Sequence, residues 1–135
     1  MQVLPSLDEV LAWKGDATHM ALSIELLTDM ETPISLYQKL GGDRPNSFLL
    51  ESAEGGDTLG RYSFIGCEVA ASFRFSDGEG TLERRDLWKR IAFKDPLEVL
   101  QGLLDEYRVV RREGLPPFQG GAVFYLSYDC VRYFE

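Results

Sequence analysis

NSFLLESAEGGDTLGRYSFIG, running from Asn46 to Gly66, decides how the chain is read. An apolar run, Ser47 to Ser52, meets an acidic glycine loop, and a second run around Arg61 to Gly66 follows it. Two β-forming runs joined by glycines read as a β-hairpin. Its mouth gathers chemistry: Glu51 and Ser52 where the first strand meets the loop, then Arg61, Tyr62 and Ser63 where the second begins. A carboxylate, a guanidinium, hydroxyls and rings are what an amino-acid pocket needs. They offer acceptors for an ammonium, donors for a carboxylate and an apolar wall. The plain alternative is a hairpin with a solvated loop, because polar residues at strand ends are mostly exposed. Neighbouring strand residues face opposite ways, so Glu51 and Ser52 turn inward together only if the strand bends, and Ser52 is the stronger candidate.

Outward from the hairpin, capping signals place the helices. Ser6 with Glu9 makes a capping box before Leu7, Val10 and Leu11, and Gly15 is expected to end that helix. Thr32-Pro33 opens a second helix with Ile34, Tyr37 and Leu40 on one face, and Gly41-Gly42 stops it through the left-handed conformation. Asp95-Pro96 starts the third, with Leu97, Leu100, Leu104 and Tyr107 as its stripe. Arg108, Arg111 and Arg112 then read as a solvated basic turn complementing the helix dipole.

Met20 to Leu27 is continuously apolar and predicts a strand buried on both faces. Val69, Ala71, Phe73 and Phe75 alternate with polar or small residues, predicting a half-buried strand, a hairpin turn at Ser76 to Gly80 and a return strand from Thr81 to Arg85. Leu87 to Phe93 is ambiguous between helix and loop. Gly120 to Leu126 predicts a glycine-led strand, and Tyr128 to Glu135 a turn into a helix capped by Asp129. That helix stops mid-pattern, so the polypeptide is expected to be the front part of a longer protein, self-associating or poorly soluble by itself. The expected fold class is α+β: a mostly antiparallel sheet with flanking helices.

Composition narrows the function. With 135 residues, 44% hydrophobic and 27% charged, the chain suits one globular domain with a core. A net charge of −8 argues against nucleic-acid binding and against an anionic membrane surface. No apolar run reaches the roughly 20 residues of a membrane helix, and MQVLPSLDEV shows no signal peptide. The two cysteines, Cys67 and Cys130, read as free thiols in a reducing cytoplasm. Gly55 to Arg61 mimics P-loop spacing, but arginine stands for the lysine and Tyr62 for the magnesium-binding hydroxyl, so a nucleotide site is rejected. His19 is the single histidine, before an apolar run, with no partner at ligand spacing, and no catalytic triad or metal site follows from it.

Three segments also carry a resemblance: TPISLYQKLGGDRPNSFLLES, LGRYSFIG and GGAVFYLSYDCVRYFE. Together, from roughly Leu26 to Glu135, they resemble the N-terminal region of anthranilate synthase component I, a chorismate-utilising enzyme; aminodeoxychorismate synthase shares much of the pattern and stays open as an alternative. One departure is Phe124, which stands where the family usually has a glycine and implies local repacking. The resemblance implies one half of a two-lobed enzyme fold. It implies that residues 1–135 are a regulatory and scaffold domain, with the chorismate-binding and Mg2+-binding residues in a downstream region. Carried over position by position, the feedback inhibitor L-tryptophan falls to Leu50, Glu51, Ser52, Arg61, Tyr62, Ser63 and Phe64. The implied partners are a glutaminase subunit (component II) and the protein's own C-terminal catalytic region. A non-catalytic interaction domain is the reading from another class.

Overall fold

The computed structural model describes residues 2–51, 62–85 and 87–133, and its mixture of helices and antiparallel pairings makes the fold α+β. Among the described residues the strands group into three small sheets rather than the single sheet expected from the sequence. The chain divides into two compact units, Met1–Leu26 with Phe75–Glu79 and Ala92–Glu135, and Leu27–Arg74 with Gly80–Ile91.

In the first unit, α1 (Leu7–Ala12) starts at the anticipated capping box: the Ser6 hydroxyl accepts from the Glu9 amide, and the Glu9 carboxylate accepts from the Ser6 amide at 2.7 Å. The helix ends at Trp13 in extended conformation, ahead of Gly15. Of the apolar run at 20–27, only its first residue is in a strand, β1 (His19–Met20). Leu22, Ile24, Leu26 and Leu27 are exposed, so the predicted doubly buried strand does not form, having nothing described to bury against. The third helix, α3 (Pro96–Asp105), is capped by Asp95, whose Oδ1 accepts from the Leu97 amide at 2.8 Å. β7 (Val109–Val110) then lies parallel to β1.

The basic residues after α3 correct a second expectation, because two of them are structural clasps. Arg112 is half-buried, and its Nη1 donates to the Leu4 carbonyl at 3.0 Å, the Ala21 carbonyl at 3.2 Å and the Ser23 hydroxyl at 3.5 Å. Leu4 and Ser23 form an antiparallel bridge, in which the two amides exchange hydrogen bonds of 2.9 and 2.8 Å. The Gln119 amide pairs with the Arg112 backbone in both directions, standing in for a neighbouring strand. Arg108 Nε donates to the Asp16 carbonyl at 2.7 Å. His19 is exposed, with its ring 4.8 Å from that of Tyr107 and Nδ1 2.8 Å from the Thr18 hydroxyl. The strand predicted at Gly120 to Leu126 is irregular: Gly120 and Gly121 have φ of 146° and 148°, off the geometry a ladder requires. A 3-10 helix, Tyr128–Tyr133, takes the place of the predicted α-helix over the described residues. Around it Phe75, Pro96, Leu97, Leu126, Cys130 and Tyr133 pack together, with the Phe75 ring edge-on to Phe93 at 5.7 Å and to Tyr133 at 6.1 Å.

In the second unit, α2 (Pro33–Leu40) opens as predicted, with Thr32 as cap and proline in the first turn. It ends at Gly41, but at φ −153° rather than in the left-handed conformation. Space requires the glycine there: a Cβ would lie 2.6 Å from the Cys67 Cβ. The helix packs on the hairpin β2 (Phe48–Glu51) and β3 (Ser63–Gly66), with the Tyr37 hydroxyl 3.0 Å from that of Ser47.

The remaining sheet orders β4 (Ser72–Ser76), β5 (Glu79–Arg84) and β6 (Leu87–Ala92) side by side. Asp77 and Gly78 turn the first connection with φ of 51° and 80°, both positive as a tight two-residue hairpin demands. β4 begins three residues later than the alternation suggested, at Ser72. The Leu87–Phe93 segment, read as helix or loop, is a strand through Ala92, since pairing with β5 outweighs its weak local signal. Both cysteines are free, Cys130 buried and Cys67 half-buried.

Candidate ligand site on the first hairpin

β2 and β3 pair antiparallel in the register Phe48 with Gly66, Leu49 with Ile65, Leu50 with Phe64 and Glu51 with Ser63. Directly paired residues share a face and neighbours alternate, so the register sorts the candidates. Leu50 and Phe64 stand across from each other on one face, and the Tyr62 ring lies 6.1 Å from that of Phe64 at a tilt of 35°. Glu51 and Ser63 form the next pair, on the opposite face with Leu49 and Ile65. Of the seven residues expected at the site, the structure thus brings Leu50, Tyr62 and Phe64 together and sets Glu51 with Ser63 apart from them. Ser52 and Arg61 lie outside the described residues, as does the glycine loop between them.

Leu50 is 47% exposed, while Tyr62 and Phe64 are half-buried, so this face carries an apolar and aromatic strip. Its far end is fixed by a close approach: a Cβ on Gly66 would sit 2.2 Å from Phe48 Cε1, so glycine alone lets the Phe48 ring lie across the hairpin.

Beyond Phe48 and Gly66, at this same end of the hairpin, lies a cleft of about 300 Å3 that the sequence did not reveal, with Arg44, Asn46, Cys67, Glu68, Ser72 and Glu83 among its lining. Arg44 is ion-paired with Glu68. Arg74 Nη2 donates to Asn46 Oδ1 at 2.6 Å, and its Nη1 is 3.5 Å from Glu83 Oε2. The Arg44–Glu68 and Arg74–Asn46 partners are 24 and 28 residues apart in the chain, a separation that no local periodicity reports. Each guanidinium already has an acidic partner, so the rim is balanced in charge and ties the hairpin to the strands that follow. Among the described residues no group of three or more histidines, cysteines and carboxylates can hold a metal ion, and no helix is long and apolar enough to cross a membrane.

Fold and site together define an α+β segment whose first strand pair carries Leu50, Tyr62 and Phe64 on one face. No family model matches the chain. It is 44% identical over 130 residues to anthranilate synthase component 1 of Pseudomonas aeruginosa, a match that covers 95% of the chain and 26% of that protein. Acetivibrio thermocellus anthranilate synthase component 1 is 34% identical over 97% of the chain and 26% of its own length. A probable anthranilate synthase component 1 of Schizosaccharomyces pombe is 38% identical over 100% of the chain and 25% of its own length. The chain is therefore similar, along nearly its whole extent, to the N-terminal region of anthranilate synthase component 1, and it spans about a quarter of the length of these relatives.

Proposed function

We propose that the chain is the N-terminal regulatory and scaffold region of the lyase subunit of a cytoplasmic anthranilate synthase, and that its first hairpin binds the feedback inhibitor L-tryptophan. The whole protein would convert chorismate and ammonia to anthranilate and pyruvate for tryptophan biosynthesis, with ammonia delivered by a glutaminase component. The word component in the relatives' names supports that partnership. Chorismate turnover and Mg2+ binding are assigned to the remaining polypeptide, so this region alone would be inactive.

The observation that carries the reading is the Leu50–Phe64 pair with Tyr62 beside Phe64, apolar and aromatic side chains of the kind that cover an indole ring. Ser52 and Arg61 supply the head-group contacts, hydroxyl or backbone oxygen to ammonium and guanidinium to carboxylate. Glu51 and Ser63, paired on the opposite face, contribute to the site through their backbone groups. Tryptophan inhibits by binding one arrangement of the enzyme better than another, the only way a ligand shifts such an equilibrium. Anthranilate fluorescence of the full-length protein given chorismate and ammonia tests both halves. Formation of anthranilate, with inhibition by L-tryptophan relieved in Ser52→Ala or Arg61→Ala, supports the proposal. A different product refutes the activity, and unchanged inhibition in both variants refutes the site.

A further inference from the structure

We propose that the outer edge of β6 is a docking site for an acidic, extended segment of a partner polypeptide. The inference stands on the second sheet and not on the hairpin. β6 ends the order β4-β5-β6, and among the described residues β5 is the strand that borders it. An edge strand offers a row of backbone donors and acceptors to an added strand. Central strands are covered on at least one face, whereas β6 is exposed on both over its first four residues: Leu87 is 75% and Trp88 59% exposed, and Lys89 and Arg90 are exposed as well. The large Trp88 ring is held in place by the Arg90 guanidinium, 5.3 Å from its centroid, so a partner meets an ordered apolar surface.

Charge selects the occupant. Lys89 and Arg90 are adjacent and face opposite sides of the strand, putting a cation on each face of the edge in a chain of net charge −8. A second copy pairing edge to edge would bring these cations against their own likeness, which destabilises directly opposed positions. An extended partner with neighbouring carboxylates places one against each cation.

The test uses the full-length protein and a short blocked peptide, fluorescein-labelled, with two adjacent glutamates flanked by valine and threonine. Fluorescence anisotropy should show saturable binding that weakens with added salt. It should weaken at least tenfold in Lys89→Glu/Arg90→Glu, with circular dichroism matching the parent, and at least twofold in the milder Lys89→Ala. A peptide with lysines in place of the glutamates should not bind. Absence of binding by the glutamate peptide, equal binding of both peptides, or undiminished binding by the reversed protein overturns the proposal. Sedimentation showing a dimer that the same reversal dissolves also overturns it, giving the edge to a second copy.

Discussion

Replacing Arg112 with alanine removes donors from three acceptors on two separate stretches of chain: Leu4 and Ala21 carbonyls at 3.0 and 3.2 Å, and the Ser23 hydroxyl at 3.5 Å. A hydrogen bond to a charged group contributes about 1.5 to 3 kcal/mol net when buried. The longest contact is at the limit of bonding, and the side chain is half-buried, so the two shorter bonds at roughly half strength give about 2 kcal/mol. Arg112→Lys should recover less than half of it, because one ammonium cannot reproduce the planar fork. Urea denaturation followed by circular dichroism measures the loss. Hydrogen exchange localises it, with the Leu4 and Ser23 amides, which exchange bonds across the bridge, losing protection first. A change under about 0.5 kcal/mol, the range of ordinary surface substitutions, would refute the clasp, as would unchanged protection at Leu4 and Ser23.

Gly66→Ala should destabilise by about 1 to 3 kcal/mol through overpacking, since the new methyl meets the Phe48 ring at 2.2 Å; a double-mutant cycle with Phe48→Leu should show coupling, and strict additivity would contradict the close approach. Asp95→Ala should cost about 1 kcal/mol by freeing the Leu97 amide, and Asp95→Asn much less, as thermal denaturation can decide. Glu9 is held below its ordinary pKa of 4.5 by the Ser6 amide first, then the Ser6 hydroxyl, with Arg112 attracting it as well. Glu31 is lowered from the same value by its bond to Lys39 first and then to Ser35. Both are depressed carboxylates, so their contribution is present above pH 4.5 and lost as pH falls through the lower folded-state values. An NMR pH titration should find α1 and the start of α2 fraying only in that acid range, and fraying already near neutrality would contradict the assignment.

Features set by near neighbours were legible in the sequence. Caps at Ser6, Thr32 and Asp95 and the Asp77-Gly78 turn each rest on residues a few positions apart, where backbone donors and φ preferences decide, and the strands from Phe48 to Gly66 showed in their own apolar runs. Apolar runs without a described partner misled: Met20 to Leu27 and Gly120 to Leu126 have strand composition, yet a strand forms only where another edge is available to it. β6 shows the reverse, a segment with weak local preference that a neighbouring strand captures. At the candidate site, residue types were readable from composition and resemblance, while their sorting onto two faces needed the register, because one step of slippage would exchange Leu50 for Glu51. Arg112 and Arg74 were illegible in their roles, since their partners lie far along the chain.

Calorimetric titration of L-tryptophan into the full-length protein, parent against Leu50→Ala, tests the ligand site most directly. Leu50 is 47% exposed, so its truncation leaves the hairpin standing while removing the exposed part of the apolar strip. Saturable binding by the parent and at least tenfold weaker binding by the variant is the result predicted; no binding by the parent, or equal affinity in both, would contradict it.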